Sequence, residues 1–129
     1  MTKWDYIRLG NNASDYQKYE DAIYLYTKAI DLDNKFYEAY NNRGIAYDDL
    51  SEHQKAIDDF NMAIKINPNY ADAYFNRGNL KTRSEKNEEA LEDFNTAIKL
   101  NPHDSASFNN RGVVKRKLNY NVGALSDFS

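Results

Sequence analysis

The chain has 129 residues with 17 basic and 20 acidic side chains, and this net charge of −3 gives no electrostatic case for binding nucleic acid. It contains no cysteine, which excludes disulfides, thiol catalysis and thiolate metal sites. No apolar run approaches the roughly 18 residues of a membrane span, and the first residues lack the apolar stretch of a signal peptide, so we expect a cytoplasmic protein with one domain, residues 1–129.

Residues 3–36 predict a pair of helices. The first runs from about Trp4 to Asp15 and the second from about Tyr19 to Leu32. In the second helix, apolar side chains recur at spacings of three and four, which places them on one face: Ala22, Ile23, Tyr26, Ala29 and Ile30. Asn34 stands where later segments have proline, so we expect this helix to end less sharply than the others.

The segment Tyr37–Tyr70 predicts the next pair, with helices from about Tyr37 to Leu50 and from about His53 to Ile66. Gly44 lies in the middle of its helix, where glycine costs about 1 kcal/mol relative to alanine. We expect close helix contact here, with Gly44 facing the small Ala56 and Ala63 while Tyr40 and Phe60 fill the flanks. The second helix ends at Asn67-Pro68, because the residue before proline is disfavoured in the α region.

Residues 71–104 repeat the preceding 34 residues almost position for position. Tyr40, Arg43 and Gly44 recur as residues 74, 77 and 78, and the same proline recurs at position 102. Lys81 replaces a tyrosine in this copy, and we expect its stem to lie on apolar surface with its ammonium group in water.

Residues 105–129 begin a further, incomplete copy. Its first helix should run from about Ser105 to Leu118, and the chain stops at Ser129 partway through the second. We therefore expect seven nearly complete helices and a short or frayed eighth. A repeat array is normally closed by a polar capping helix. The stop indicates an excised piece of a longer protein, an end that another molecule covers, or a frayed terminus.

The fixed period and the residues that recur with it resemble the tetratricopeptide repeat (TPR) family. Positions typical of that family are filled in residues 37–70 by Tyr40, Gly44, Tyr47, Ala56, Phe60, Ala63 and Pro68, whereas Arg43 replaces the usual leucine. The resemblance covers repeats 3–36, 37–70, 71–104 and 105–129. It implies an all-α solenoid of stacked antiparallel helix pairs, a right-handed superhelix whose concave groove binds a peptide or a partner's helix.

Two positions change together among the repeats. Arginine at one position accompanies aspartate sixteen residues later in three repeats: Arg43 with Asp59, Arg77 with Asp93, and Arg111 with Asp127. In the first repeat the two positions hold Leu9 and Leu25. Because a guanidinium group can bind a carboxylate in bidentate geometry, we expect structural ion pairs within each repeat. The alternative is that the arginines bind an acidic ligand.

The resemblance also implies a peptide-binding groove. Asn42, Asn76 and Asn110 share one position on the first helix of successive repeats, where asparagine in some family members holds a peptide backbone. Amides that donate and accept, with apolar residues between them, suit an extended ligand. The groove residues expected from this are Asn11, Asn41, Asn42, Ile45, Phe75, Asn76, Asn79, Asn109, Asn110, Val113, Arg116 and Lys117. The last two would favour an acidic segment. The alternative is that asparagine is common at this position in the family and binds no ligand here.

Family members that bind the acidic C-terminal tails of large chaperones use two lysines, two asparagines and one arginine. At the matching positions this sequence has Ile7, Asn11, Asn42, Asp72 and Asn76. Both asparagines are present, while all three cations are missing. We therefore expect that such tails do not bind, because their carboxylates would lose charge-assisted hydrogen bonds.

No constellation for catalysis is evident. His53 and His103 are the only histidines, and neither has a fixed carboxylate partner in the sequence pattern. We expect the acidic residues Glu88, Glu89 and Glu92 to lie on a solvated helix face, with Asp93 turned inward. We expect no enzyme activity, no cofactor and no metal site.

Three functions fit these observations. The first is a non-catalytic scaffold or adaptor that binds a protein or peptide partner, with no role for nucleic acid or membrane. The second is an architectural segment that associates end to end with its own kind through the uncapped C-terminal repeat. The third is a regulatory or targeting domain cut from a larger protein.

Overall fold

In the computed structural model, the backbone of residues 1–126 and the side chains of residues 1–119 are described. This part forms helices only: α1 Lys3–Asp15, α2 Tyr19–Leu32, α3 Tyr37–Asp49, α4 His53–Ile66, α5 Ala71–Arg83, α6 Asn87–Leu100 and α7 Ser105–Ser126. The predicted all-α class is confirmed, and the first four helices lie within one residue of their predicted bounds. The chain divides into two compact units, Met1–Ala73 and Tyr74 onward.

The helices pack pairwise around buried alanine and aromatic side chains. In the first unit α1 packs on α2, α2 on α3 and α3 on α4; in the second unit α6 packs on α7. Tyr26, Phe60 and Phe94 are at most 2% exposed and lie on the second helix of successive pairs. Each of these rings rests on the glycine of the preceding helix, at positions 10, 44 and 78.

The glycines permit this ring contact. A Cβ atom at Gly44 would lie 2.7 Å from Cε1 of Phe60 and 3.2 Å from the carbonyl oxygen of Ala56. The predicted contact with Ala56 is present, but the Phe60 ring, which was expected at the flank, is the nearest neighbour of Gly44. A large ring on a bare backbone fills the interface better than two small side chains, because burial of an aromatic side chain removes more apolar area from water.

We predict that Gly44→Ala and Gly112→Ala change stability in opposite directions. Alanine at position 44 collides with the Phe60 ring and lowers the free energy of unfolding by about 1–3 kcal/mol. At Gly112 no described atom lies within 4 Å of the added Cβ, so the helix propensity of alanine raises stability by up to about 1 kcal/mol. Urea unfolding followed by circular dichroism measures both. Equal effects of the two substitutions would contradict this packing.

The two helices of each pair are joined by a turn with one left-handed residue. Gln17, Ser51 and Glu85 have φ angles of 60°, 62° and 61° and lie at the same position of successive repeats. None is glycine, so each turn costs on the order of 1 kcal/mol of backbone strain. This turn was not predicted, because these residue types carry no left-handed preference that the sequence would reveal.

Each second helix ends at the same repeat position, at Leu32, Ile66 and Leu100. The prediction that the helix before Asn34 ends less sharply was therefore wrong. The residue one position before the proline determines where these helices end. The side chains of Asp33 and Asn67 each accept a hydrogen bond from the backbone N–H two residues later, at 3.0 and 3.1 Å. This turn is formed with or without a following proline.

The last described helix differs from its prediction. A turn was expected after Leu118, but α7 continues to Ser126 without interruption. In the other repeats a packed second helix offsets the strain of the turn. No described atom lies within 4 Å of a Cβ atom built at Gly112, whereas the corresponding glycines at positions 10, 44 and 78 each contact an aromatic ring of the second helix. Residues 127–129, including Asp127, lie outside the described residues.

Among the residues that the structure describes, no helix combines the length and apolar character required to cross a membrane.

Candidate functional site

Two asparagines of the predicted groove form an amide pair in the first unit. Asn42 Nδ2 on α3 donates a hydrogen bond of 3.0 Å to Asn11 Oδ1 on α1. The same oxygen accepts a bond of 2.6 Å from the hydroxyl group of Tyr26. Burial raises the pKa of Tyr26, so this hydroxyl remains a donor. Both lone pairs of Asn11 Oδ1 are then used, and the exposed Asn11 side chain has its NH2 group available to a ligand.

The second unit contains the same pair at the same repeat positions. Asn110 Nδ2 on α7 donates to Asn79 Oδ1 on α5 at 2.7 Å. The pair lies in a depression of about 150 Å³ that is also lined by Thr82, Arg83 and Val113. In each unit, then, two first helices are joined by an amide pair at the positions where the sequence predicted a groove.

Apolar side chains are accessible at related positions. Ile45 and Val113 stand at the repeat position of Asn11 and Asn79, and they are 38% and 37% exposed. Asn76, the remaining member of the asparagine column, is half-buried on α5. The predicted groove positions thus include both amide groups and apolar groups that solvent can reach.

Two predicted groove positions, Asn41 and Phe75, are less accessible than the others. Asn41 is only 3% exposed, and its Nδ2 lies 3.4 Å from Asn42 Oδ1. Phe75 is half-buried and packs edge-on against Phe94 of the core cluster in the second unit, with ring centroids 6.1 Å apart. Both were predicted to line the groove; the burial of Asn41 contradicts this for Asn41, whereas Phe75 keeps part of its surface accessible. Asn41 and Phe75 each lie three residues before a glycine that contacts an aromatic ring, so they are on the face that packs against the second helix.

The C-terminal part of the predicted groove is exposed and basic. Asn109 and Arg116 are exposed on α7. Lys117 is 37% exposed, and its Nζ lies 3.8 Å from Glu85 Oε1. This ion pair partly neutralises the positive charge of Lys117. The sequence pattern did not predict the ion pair.

The structure brings Arg43 and Asp59 together in bidentate geometry. Arg43 Nε donates to Asp59 Oδ2 and Nη2 donates to Oδ1, both at 2.8 Å, and Asp59 is 5% exposed. Arg43 Nη1 also donates to the Thr27 hydroxyl at 3.2 Å, so one guanidinium group joins α3 to both α2 and α4. Burial alone would lower the pKa of Arg43, but the hydrogen bonds and charge of Asp59 outweigh it and raise that pKa.

In the next repeat a lysine lies beside the corresponding arginine–aspartate pair. Arg77 binds Asp93 through Nε at 2.9 Å and Nη2 at 2.7 Å. Lys81 Nζ lies 3.4 Å from both Asp93 Oδ2 and Glu89 Oε1, and its side chain is 16% exposed. The prediction that the Lys81 ammonium group lies in water was wrong, because a nearly buried carboxylate attracts it.

The third arginine of the column is placed differently. Arg111 Nη1 donates to Asn95 Oδ1 at 3.0 Å, and Asn95 has the repeat position of Thr27. Its expected partner Asp127 lies outside the described residues.

One of the two histidines lies beside a carboxylate. His53 Nδ1 lies 2.9 Å from Asp48 Oδ1, a carboxylate partner that the sequence pattern did not predict, and the His53 side chain is 54% exposed. Within the described part of the chain, no three His, Asp or Glu side chains cluster in a way that could hold a metal ion.

Comparison with known families gives two matches. A profile described as tetratricopeptide repeat matches residues 37–70 and 71–104, and one described as TPR repeat matches residues 15–51. The comparison with curated proteins gave no match.

Several solved structures are similar over most of their length. The first TPR of Spaghetti (RPAP3), bound to the HSP90 peptide SRMEEVD, is 30% identical with a TM-score of 0.86, over 91% of this chain and 93% of that one. The Sgt2 TPR domain from Aspergillus fumigatus is 26% identical with a TM-score of 0.88, over 95% and 83%. The second TPR domain of human RPAP3, in complex with the HSP70 peptide SGPTIEEVD, is 30% identical with a TM-score of 0.79, over 85% and 92%.

Proposed function

Because the chain belongs to the tetratricopeptide repeat family, we propose that it is a non-catalytic interaction module that binds an extended segment of a partner protein along its first helices. The observation that carries this proposal is the amide pair that recurs in both units, Asn11 with Asn42 and Asn79 with Asn110. The similarity of the chain to TPR domains with bound peptides also supports a peptide as the ligand.

Each amide pair holds in place a side-chain amide that can bind the ligand. Asn42 holds Asn11 in place, so the NH2 group of Asn11 can donate to a peptide carbonyl without first losing rotamer freedom. An extended peptide points alternate side chains to opposite sides. Its backbone meets the amides, while one set of side chains meets exposed apolar residues such as Ile45 and Val113.

We predict that the chain does not bind the chaperone peptides of its structural relatives. Those peptides end in acidic residues and a free carboxylate, whereas positions 7, 72 and 76 of this chain hold Ile7, Asp72 and Asn76. Ile7 also packs against the core of the first unit. Without cations, charge-assisted bonds worth about 1.5–3 kcal/mol each are missing.

Calorimetric titration of SRMEEVD into the chain tests this, with the Spaghetti TPR domain as positive control. We expect no measurable heat of binding under conditions where the control binds. Micromolar affinity of this chain for the peptide would contradict the prediction.

The proposed function itself is tested by selecting ligands from a random peptide library displayed on phage. We expect enriched peptides that bind one per chain and share a pattern of alternating apolar residues. Failure to enrich any binding sequence over an unrelated helical protein would count against a peptide-binding role.

A further inference from the structure

A second depression lies in the first unit, between the loop after α2 and the C-terminal half of α4. It has a volume of about 510 Å³ and is lined by Asn34, Lys35, Tyr40, Met62, Lys65 and Ile66. This volume falls within the roughly 300–1,000 Å³ of ligand-binding pockets. None of its lining residues belongs to the predicted groove. On α3, Tyr40 precedes Asn42 by two positions, so the two side chains point in directions about 200° apart.

The wall of this depression is held in place. The Tyr40 hydroxyl donates a hydrogen bond of 3.1 Å to the backbone carbonyl of Asn34. The guanidinium carbon of Arg43 lies 5.6 Å from the centre of the Tyr40 ring, and Arg43 is itself anchored to Asp59. On the opposite side Met62 is 38% exposed. Its flexible thioether side chain can adapt to an apolar group of variable shape.

Two lysines give the depression its charge. Lys35 and Lys65 are exposed, and no carboxylate lines the space between them. In the described part of the chain neither ammonium group has a carboxylate within ion-pair distance. Asp33, the acidic residue closest to Lys35 in sequence, is bound by Lys3 Nζ at 2.6 Å and by the backbone N–H of Lys35 at 3.0 Å. These hydrogen bonds and the charges of both lysines lower the pKa of Asp33, so its carboxylate offsets part of the charge of Lys35. The segment Tyr37–Tyr70 contains three basic and six acidic residues, so this cationic site contrasts with the surrounding sequence.

We propose that this depression binds an acidic segment of a partner protein that carries one bulky apolar side chain between acidic residues. The apolar side chain contacts Tyr40, Met62 and Ile66, and the flanking carboxylates meet Lys35 and Lys65. Opposite charges across an exposed contact select the partner and its register. The site does not depend on the asparagine groove, so the chain can hold two segments at once.

The test is a titration of the isotope-labelled chain with the peptide acetyl-Asp-Glu-Leu-Glu-Asp-amide, followed by two-dimensional NMR. We expect the backbone amide signals of Lys35, Tyr40, Met62 and Ile66 to shift with peptide concentration. The double substitution Lys35→Glu with Lys65→Glu should weaken binding by at least about tenfold, because two attractive contacts become repulsive. Replacement of the peptide's leucine by serine should also weaken it, since the apolar contact is lost.

Lys99→Glu is the matched control, because Lys99 occupies the position of Lys65 one repeat later. It should leave the affinity unchanged, as should the replacement of Asn42, Asn76 and Asn110 by alanine. Circular dichroism establishes that each variant is folded. Absence of shifts at millimolar peptide, shifts confined to Asn42 and Ile45, or an equal loss with Lys99→Glu would each overturn the proposal.

Discussion

Replacement of Asp59 by alanine should lower the free energy of unfolding by about 3 kcal/mol. Asp59 is 5% exposed and receives both of its strong hydrogen bonds from Arg43. The substitution leaves the Arg43 side chain, which is 18% exposed, with its charge uncompensated. A nearly buried cation without a carboxylate partner destabilises the folded state by more than the ion pair stabilised it, because the cost of its desolvation is no longer offset.

The simultaneous change of Arg43 and Asp59 to leucine should be close to neutral. These are the residues that the first repeat carries at the same positions, Leu9 and Leu25, so the change copies a pair that already exists in this chain. Removal of both charges also removes both desolvation costs. The bond from Arg43 to Thr27 and the contacts of the guanidinium group with the Tyr40 and Tyr47 rings are then lost without replacement.

Urea unfolding of the wild type, both single leucine variants and the double variant gives a complete thermodynamic cycle. We expect the two single changes to be strongly non-additive, with a coupling of about 1.5–3 kcal/mol. Single effects that simply add would show that the ion pair in the structure contributes no specific interaction.

The repeat pattern predicted the first four helices to within one residue, but it did not predict the uninterrupted α7. Helix bounds followed from it for α2 and α4, whose ends coincide with the prediction. The pairing of Arg43 with Asp59 also followed, since the two positions change together within one sequence. The pattern could not predict the additional partner Thr27, because no covariation within four repeats links it to the arginine.

The groove was harder to predict than the fold. Asn41 and Asn42 are adjacent and chemically identical, yet Asn41 is 3% exposed while Asn42 is half-buried and bound to Asn11. Adjacent helix positions differ by about 100°, so a small error in the assumed face exchanges a core residue for a surface residue. Lys81 was misplaced for another reason. The carboxylate that attracts it lies on a different helix, and sequence spacing does not specify that distance.

The second large effect concerns ligand binding. Replacement of Asn42, Asn76 and Asn110 by alanine should weaken binding of a library-selected peptide by about a hundredfold, because about three hydrogen bonds of roughly 0.5–1.5 kcal/mol each are lost. The effect at Asn42 includes the release of Asn11, whose carbonyl oxygen then keeps only the Tyr26 hydroxyl as donor. Asn61→Ala, an exposed asparagine on α4, is the matched control and should leave binding unchanged.

The most direct test of the proposed function is therefore calorimetric titration of one selected peptide into the wild type, the triple variant and Asn61→Ala. The wild type and Asn61→Ala should bind with equal affinity, and the triple variant should bind about a hundredfold more weakly while its circular dichroism spectrum stays helical. Unchanged affinity in a folded triple variant would contradict the central claim that the asparagine amides hold the ligand.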